Sequence, residues 1–192
     1  MPDKKYCYKD SDILINKFDI RDVKKLKLAE RKLTMLRLLE LFDDPIEGRF
    51  DLAHLQNIHR YIFQDIYEWS GEIRTIDIAK EHMFCNAKFI RPQADEIFLK
   101  LKKESYLGKL DNDGFIKRLA YYLGEINALH PFREGNGRSQ REFIRALALR
   151  NGYVIHYDRI TPKEMISASI KSFMCNYCEM EELIKKCIEI KL

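Results

Sequence analysis

The stretch that most constrains this chain is His130-Pro131-Phe132-Arg133-Glu134-Gly135-Asn136-Gly137-Arg138-Ser139-Gln140-Arg141. A helical pattern runs into it and another runs out of it. Phe115, Leu119, Tyr122, Leu123, Ile126 and Leu129 recur at threes and fours up to the His130-Pro131 step, where the residue before proline resists helical geometry. A second helix is expected from near Arg138 to Asn151-Gly152, a C-terminal stop signal. The segment between them therefore sets a histidine at one helix end and a glycine-flanked turn at the next helix start.

Those residue types converge on phosphate chemistry. Unpaired N–H groups at a helix N-terminus, together with the helix dipole, attract anions. Gly135 and Gly137 remove side chains from the turn, so that successive backbone N–H groups curl around an anion with Asn136 between them. Arg138 and Arg141, three apart in the first turn, share a face and suit phosphate oxygens. Glu134 is one carboxylate beside this cradle, which is enough for a Mg²⁺ ion that takes its other ligands from phosphates and water. His130 is the candidate general base, neutral near cellular pH. Phe132 reads as a buried anchor for the loop. The other histidines (His54, His59, His82, His156) make no metal spacing. There is no G-x-x-x-x-G-K-[ST], and Gln140 stands where a dinucleotide fold needs its third glycine.

Elsewhere helical periodicity dominates, and the expected class is all-α. Over residues 22–42, Leu26, Leu28, Leu33, Leu36, Leu39 and Phe42 recur at threes and fours among charges; Pro45 and Gly48 end the pattern. Asp51 reads as the N-cap of a helix over residues 52–65 that carries Leu55, Ile58, Ile62 and Phe63. Thr161-Pro162 starts another helix, and residues 179–192 read as the last. The exception is residues 73–90, where Ile73-Arg74-Thr75-Ile76-Asp77-Ile78 alternates in part and Lys80-Glu81-His82 reads as a turn. One short hairpin cannot be a sheet core, so it reads as a surface flap.

Composition narrows the partners. At 192 residues the chain suits one domain with a sizeable core. A net charge of +4, with both signs interspersed, is far from the basic stripe of a nucleic-acid binder. No apolar run reaches membrane-spanning length and the N-terminus is polar, so a soluble, cytoplasmic protein is expected. The five scattered cysteines read as reduced thiols, including the Cys175-x-x-Cys178 pair, which lies in a stretch that reads as helix.

The segment 130–141 resembles the Fic-family motif H-P-F-x-[D/E]-G-N-G-R-x-x-R at every defined position. The resemblance extends to Ile46-Glu47-Gly48-Arg49-Phe50-Asp51-Leu52-Ala53-His54-Leu55 and to residues 58–71, which look like the start of the Fic core, and to Gly152 through Ile160 and Met165-Ile166-Ser167-Ala168-Ser169-Ile170. It implies a single Fic-fold helical domain over residues 1–192: an N-terminal helical segment (1–45), a core (46–160) holding the flap and the motif, and C-terminal helices (161–192). It also implies transfer of AMP from Mg-ATP to a Tyr, Ser or Thr hydroxyl of a target protein. His130 would take the proton and Glu134 would hold Mg²⁺. Gly135, Asn136 and Gly137 would cradle the phosphates, and Arg138 and Arg141 would neutralise them. The target would dock as an added strand on the flap at Ile76, Asp77, Ile78, Ala79 and Lys80. The family's internal inhibitory motif, [S/T]-x-x-x-E-[G/N], is missing: Glu-Gly occurs only at Glu47-Gly48 and Glu134-Gly135, with Asp43 and His130 four residues upstream. The resemblance is thus to the class inhibited by a separate small antitoxin acting on Arg141, whose targets include type II topoisomerases. Transfer of another nucleotide or phosphate-linked group, or a catalytically silent peptide-binding module, are the alternatives.

Overall fold

The computed structural model describes residues 5–79 and 83–190. Among them are seven α-helices: α1 (Val23–Asp43), α2 (Leu52–Phe63), α3 (Ile90–Lys103), α4 (Asn112–Leu129), α5 (Asn136–Arg150), α6 (Pro162–Phe173) and α7 (Cys178–Cys187). α4 is the hub and touches α3, α5, α6 and α7; α2 bridges α1 and α5. Its apolar positions explain that centrality, because Phe115, Leu119, Tyr122, Leu123 and Ile126 are all buried. The expected all-α class therefore holds.

Helix starts follow local chemistry. Asp22, Asp51 and Asp111 cap α1, α2 and α4 by accepting from the backbone N–H three residues on. Thr161 and Glu164 form a reciprocal capping box on α6, with Pro162 in its first turn.

Three features differ from the sequence reading. Helix α3 had no expected counterpart. Pro92 in its first turn obscures it, although a proline there removes only an N–H that has no intrahelical partner. The last helix stops at Cys187, not at the C-terminus. Ile188–Ile190 (β2) pairs antiparallel with Tyr153–Ile155 (β1), matching Tyr153 with Ile190 and Ile155 with Ile188. The Ile-Glu-Ile alternation satisfies a strand as well as a helix end, and the N–H and C=O groups of β1 supply the partner. The Cys175-x-x-Cys178 stretch is not continuous helix either: Cys175 has φ 58° in the turn before α7, and both thiols are exposed and unbridged.

Helix α1 packs a different face from the expected one. Of its six periodic apolar residues only Leu26 is buried and Leu33 half-buried; Leu41 and Thr34 complete the inner face. A helix apolar on two sides has no unique face by periodicity. The choice is made by polar tethers: Arg37 reaches Asp65 beyond α2 with two bonds of 2.7 and 2.9 Å, and Glu30 reaches the motif.

Candidate active site

The α4–α5 junction builds the site. α4 ends at Leu129, and His130 caps it in the left-handed region (φ 45°, ψ 59°), a conformation a non-glycine residue holds only where its surroundings impose it. Its N–H closes the helix onto Ile126. Imidazole Nδ1 lies 3.3 Å from the Asn127 carbonyl, the contact of a protonated Nδ1, which makes Nε2 the proton-accepting nitrogen. Phe84, from the flap, lies flat on the imidazole with ring centroids 3.7 Å apart and planes 14° from parallel.

α5 begins two residues earlier than expected, at Asn136, with Gly135 as its N-cap. Of the two motif glycines only Gly135 takes a positive φ (79°), and a Cβ there would fall 2.1 Å from the Phe63 ring. Gly137 lies inside the first turn, where a Cβ would meet the Arg141 guanidinium at 3.2 Å. The Asn136 side chain is engaged within its own loop. It accepts from the Phe132 N–H (2.8 Å) and donates to the Phe132 carbonyl (2.7 Å), which braces the loop. Phe132 is buried, the anchor the sequence implied.

The two motif arginines part company. Arg138 turns to α1, donating to Glu30 at 2.5 Å and to the Thr34 hydroxyl at 3.0 Å, with its guanidinium over Phe63. Glu30 also accepts from the Tyr67 hydroxyl. Tyr67 stacks on Trp69 (4.3 Å between centroids), so α1 is wired through Arg138 to the motif. Arg141 instead lines a cavity of about 280 Å³ together with His130, Gly137, Gln140 and Asn127. The opposite wall is apolar: Phe84, Met165, Ile166, Ile170 and Phe173. Burial lowers the Arg141 pKa, the nearby Arg138 cation lowers it further, and no carboxylate is among the groups acting on it. Glu134 lies half-exposed, accepts from the Gly135 N–H at 2.9 Å and stands 3.8 Å from Arg138. Among the described residues it joins no cluster of three metal-ligating side chains. A lone accessible carboxylate suits a hard cation that brings phosphate and water ligands.

Two residues that sequence reasoning passed over hold the site. Arg74 is 1% exposed. It donates to the carbonyls of His130 (2.8 Å), Ile76 (2.6 Å) and Cys85, and its own N–H bonds the Pro131 carbonyl at 2.9 Å. One guanidinium thus ties both flap arms to the αL turn. The expected hairpin is slight: one bridge, Ala79 to Met83, and a bond from the Phe84 N–H to the Ile78 carbonyl (3.2 Å). Asp77 clasps the arms by accepting from Asn86 and the Ala87 N–H. Residues 87–89 already form a 3-10 turn into α3. Of the docking residues named from sequence, Lys80 lies outside the described residues.

The second is His59. Its Nδ1 accepts from the Gly71 N–H (2.8 Å), so Nε2–H donates to the Glu134 carbonyl (3.0 Å). Stacked on Phe132 at 3.9 Å, it is buried and neutral, its pKa pushed down to about 3 by desolvation. A histidine on the apolar face of α2 was the available signal.

Comparison with known proteins agrees with this geometry. Residues 49–148 match the Fic/DOC family. Protein adenylyltransferase VbhT of Bartonella schoenbuchensis is 41% identical over 182 residues, 94% of this chain but 38% of that protein. A Sinorhizobium fredii protein named "Probable protein adenylyltransferase y4lH" is 35% identical over 95% of this chain and 94% of its own. Among solved structures, the N-terminal Fic domain of a VirB-translocated Bep effector from Bartonella quintana, with bound ADP, superposes with TM-score 0.91 at 27% identity. That match covers 98% of this chain and 96% of the other. With the motif, the helical frame and the sequence match in agreement, this chain belongs to the Fic/DOC family.

Proposed function

We propose that the chain is a protein adenylyltransferase, moving AMP from ATP to a hydroxyl of a target protein. The observation that carries this reading is the cavity beside His130. It has an apolar wall from α6 sized for a base, the N-terminus of α5 and the Arg141 guanidinium at its polar end, and a proton acceptor at its mouth.

The α-phosphate sits against the first N–H groups of α5, where Gly135 and Gly137 leave room. Arg141 faces the outer phosphates and offsets charge as pyrophosphate leaves. Nε2 of His130 takes the proton of the target hydroxyl; its oxygen bonds the α-phosphorus in line as the bond to the β-phosphate oxygen breaks. Glu134 is the residue that would hold Mg²⁺, which when bound screens phosphate charge. Arg138 acts mainly through Glu30, keeping the motif against α1. The flap edge, residues 76–79, registers the target as an added strand. A separate inhibitory protein fits the same geometry, because Arg141 is the motif arginine without a carboxylate partner among the described residues. Type II topoisomerases are the target class to try first.

The test is label transfer from α-³²P-ATP with Mg²⁺ into a bacterial lysate, into topoisomerase subunits and into the chain itself, comparing wild type with His130→Ala. A band present only in wild type is the expected result. Binding of AMPPNP without transfer of label from any nucleotide would leave a silent binding module.

A further inference from the structure

Helix α1 has an inner face that packs and an outer one that does not. On the outer face Leu28, Met35, Leu36, Leu39 and Phe42 are 55–59% exposed. At about 100° per residue, Leu28, Met35, Leu39 and Phe42 fall within a band roughly 60° wide, on the side away from Leu26 and Leu41. Positions 28, 35 and 42 repeat at the interval by which one helix offers a seam to another. The outer side of a surface helix ordinarily carries charges in that band, and a contiguous apolar patch there marks an association surface.

We infer that this face pairs antiparallel with the same face of a second copy of the chain, about a two-fold axis passing at Met35. Two observations choose a copy over another partner. The heptad residues of the stripe are symmetrical about Met35: Leu28 and Phe42 are equally distant along the helix, so Leu28 of one chain meets Phe42 of the other, twice, while Leu39 falls opposite the methylene stem of Arg31. That self-complementarity is what an isologous interface requires. The charges are polarised in the same sense. Lys24, Lys25, Lys27, Arg31 and Lys32 occupy the N-terminal half, whereas Asp43 and the capping Asp44 close the C-terminal end. Parallel pairing would stack like charges; antiparallel pairing brings Lys25 of one chain near Asp43 of the other. Glu30 does not weaken this polarity, since it turns inward to Arg138, and Glu40 is engaged by Arg37 and Tyr61.

From Leu28 to Phe42 the face is roughly 21 Å long and one helix wide, at the low end of specific interfaces, so the dimer is expected to dissociate in the micromolar range or above. This inference is independent of the transfer reaction. Sedimentation velocity of the full chain over roughly 1–100 µM spans that range. Wild type is expected to shift from monomer to dimer, and Met35→Lys, on an exposed site that leaves folding by circular dichroism unchanged, to remain monomeric. Lys25→Asp and Asp43→Lys singly should weaken the dimer at least threefold, and together restore it. A wild-type chain monomeric throughout, a dimer indifferent to Met35→Lys, or a charge-swapped pair no better than the singles would each overturn the proposal.

Discussion

Phe84 lies against the full face of the His130 imidazole, 3.7 Å from ring centre to ring centre. The flap therefore holds the proposed base as well as the proposed target edge. Truncation to Phe84→Ala releases the ring and, because positioning is worth so much in catalysis, should lower kcat for label transfer by ~10- to 100-fold. Phe84→Tyr, which keeps the flat face, should stay within about threefold of wild type. Equal loss in both would contradict the positioning role.

Arg74 satisfies three backbone carbonyls, those of His130, Ile76 and Cys85. Arg74→Met leaves them short of donors, each at a cost of about 1–3 kcal/mol, and thermal unfolding should show a fall of several degrees. Arg74→Lys restores charge but not the fork. It should retain AMPPNP affinity within a few fold by calorimetry while the KM for the target protein rises about tenfold or more.

The motif arginines should separate in mutagenesis. Arg138→Ala strands Glu30, whose side chain is only 14% exposed, and is expected to destabilise the fold by about 1–3 kcal/mol. Arg141→Ala removes a desolvated cation without breaking an ion pair. Its unfolding midpoint should hold or rise while nucleotide affinity falls by ~10-fold or more. Urea titration beside nucleotide binding resolves the two.

Gly135→Ala meets two obstacles, a positive φ and the Phe63 ring. Pairing it with Phe63→Ala relieves only the second. Both variants should lose measurable AMPPNP binding, with the single mutant unfolding at least ~2 kcal/mol more easily than wild type. Recovery of binding in the double mutant would argue that φ at this turn is unimportant.

His59 gives the fold an acid limb. Its folded pKa, about 3, lies below the ordinary 6.5, so the unfolded chain binds the extra proton. Its contribution is complete above about pH 6.5 and drains away as pH falls toward 3, at up to roughly 1.4 kcal/mol per pH unit. His54, also lowered by burial, adds in the same direction. Chemical denaturation at pH 7.5, 6 and 5 should show a shallower decline for His59→Gln than for wild type, even though the mutant starts lower.

Much of this was legible in sequence. His130, Glu134, the glycines and the arginines lie within twelve consecutive residues, and the helix end at His130 follows from proline chemistry, while the next helix, expected near Arg138, begins two residues before it. What escaped was long-range. Nothing local reveals that Glu30 claims Arg138 across 108 positions, or that Arg74 is swallowed whole by carbonyls at 76, 85 and 130. Nor does periodicity decide between two apolar faces of α1, since the choice is made by Thr34, Glu30 and Arg37 finding partners. The strand at Ile188–Ile190 depended likewise on Tyr153–Ile155 being there to receive it.

Trp69 is the one tryptophan in the chain, and its ring stacks on Tyr67, whose hydroxyl holds Glu30 against Arg138. The molecule thus carries an intrinsic optical gauge at the joint between α1 and the motif. Any ligand that draws Arg138 toward phosphate loosens Glu30 and Tyr67 in turn, and the emission of a single indole records it without a dye or a label.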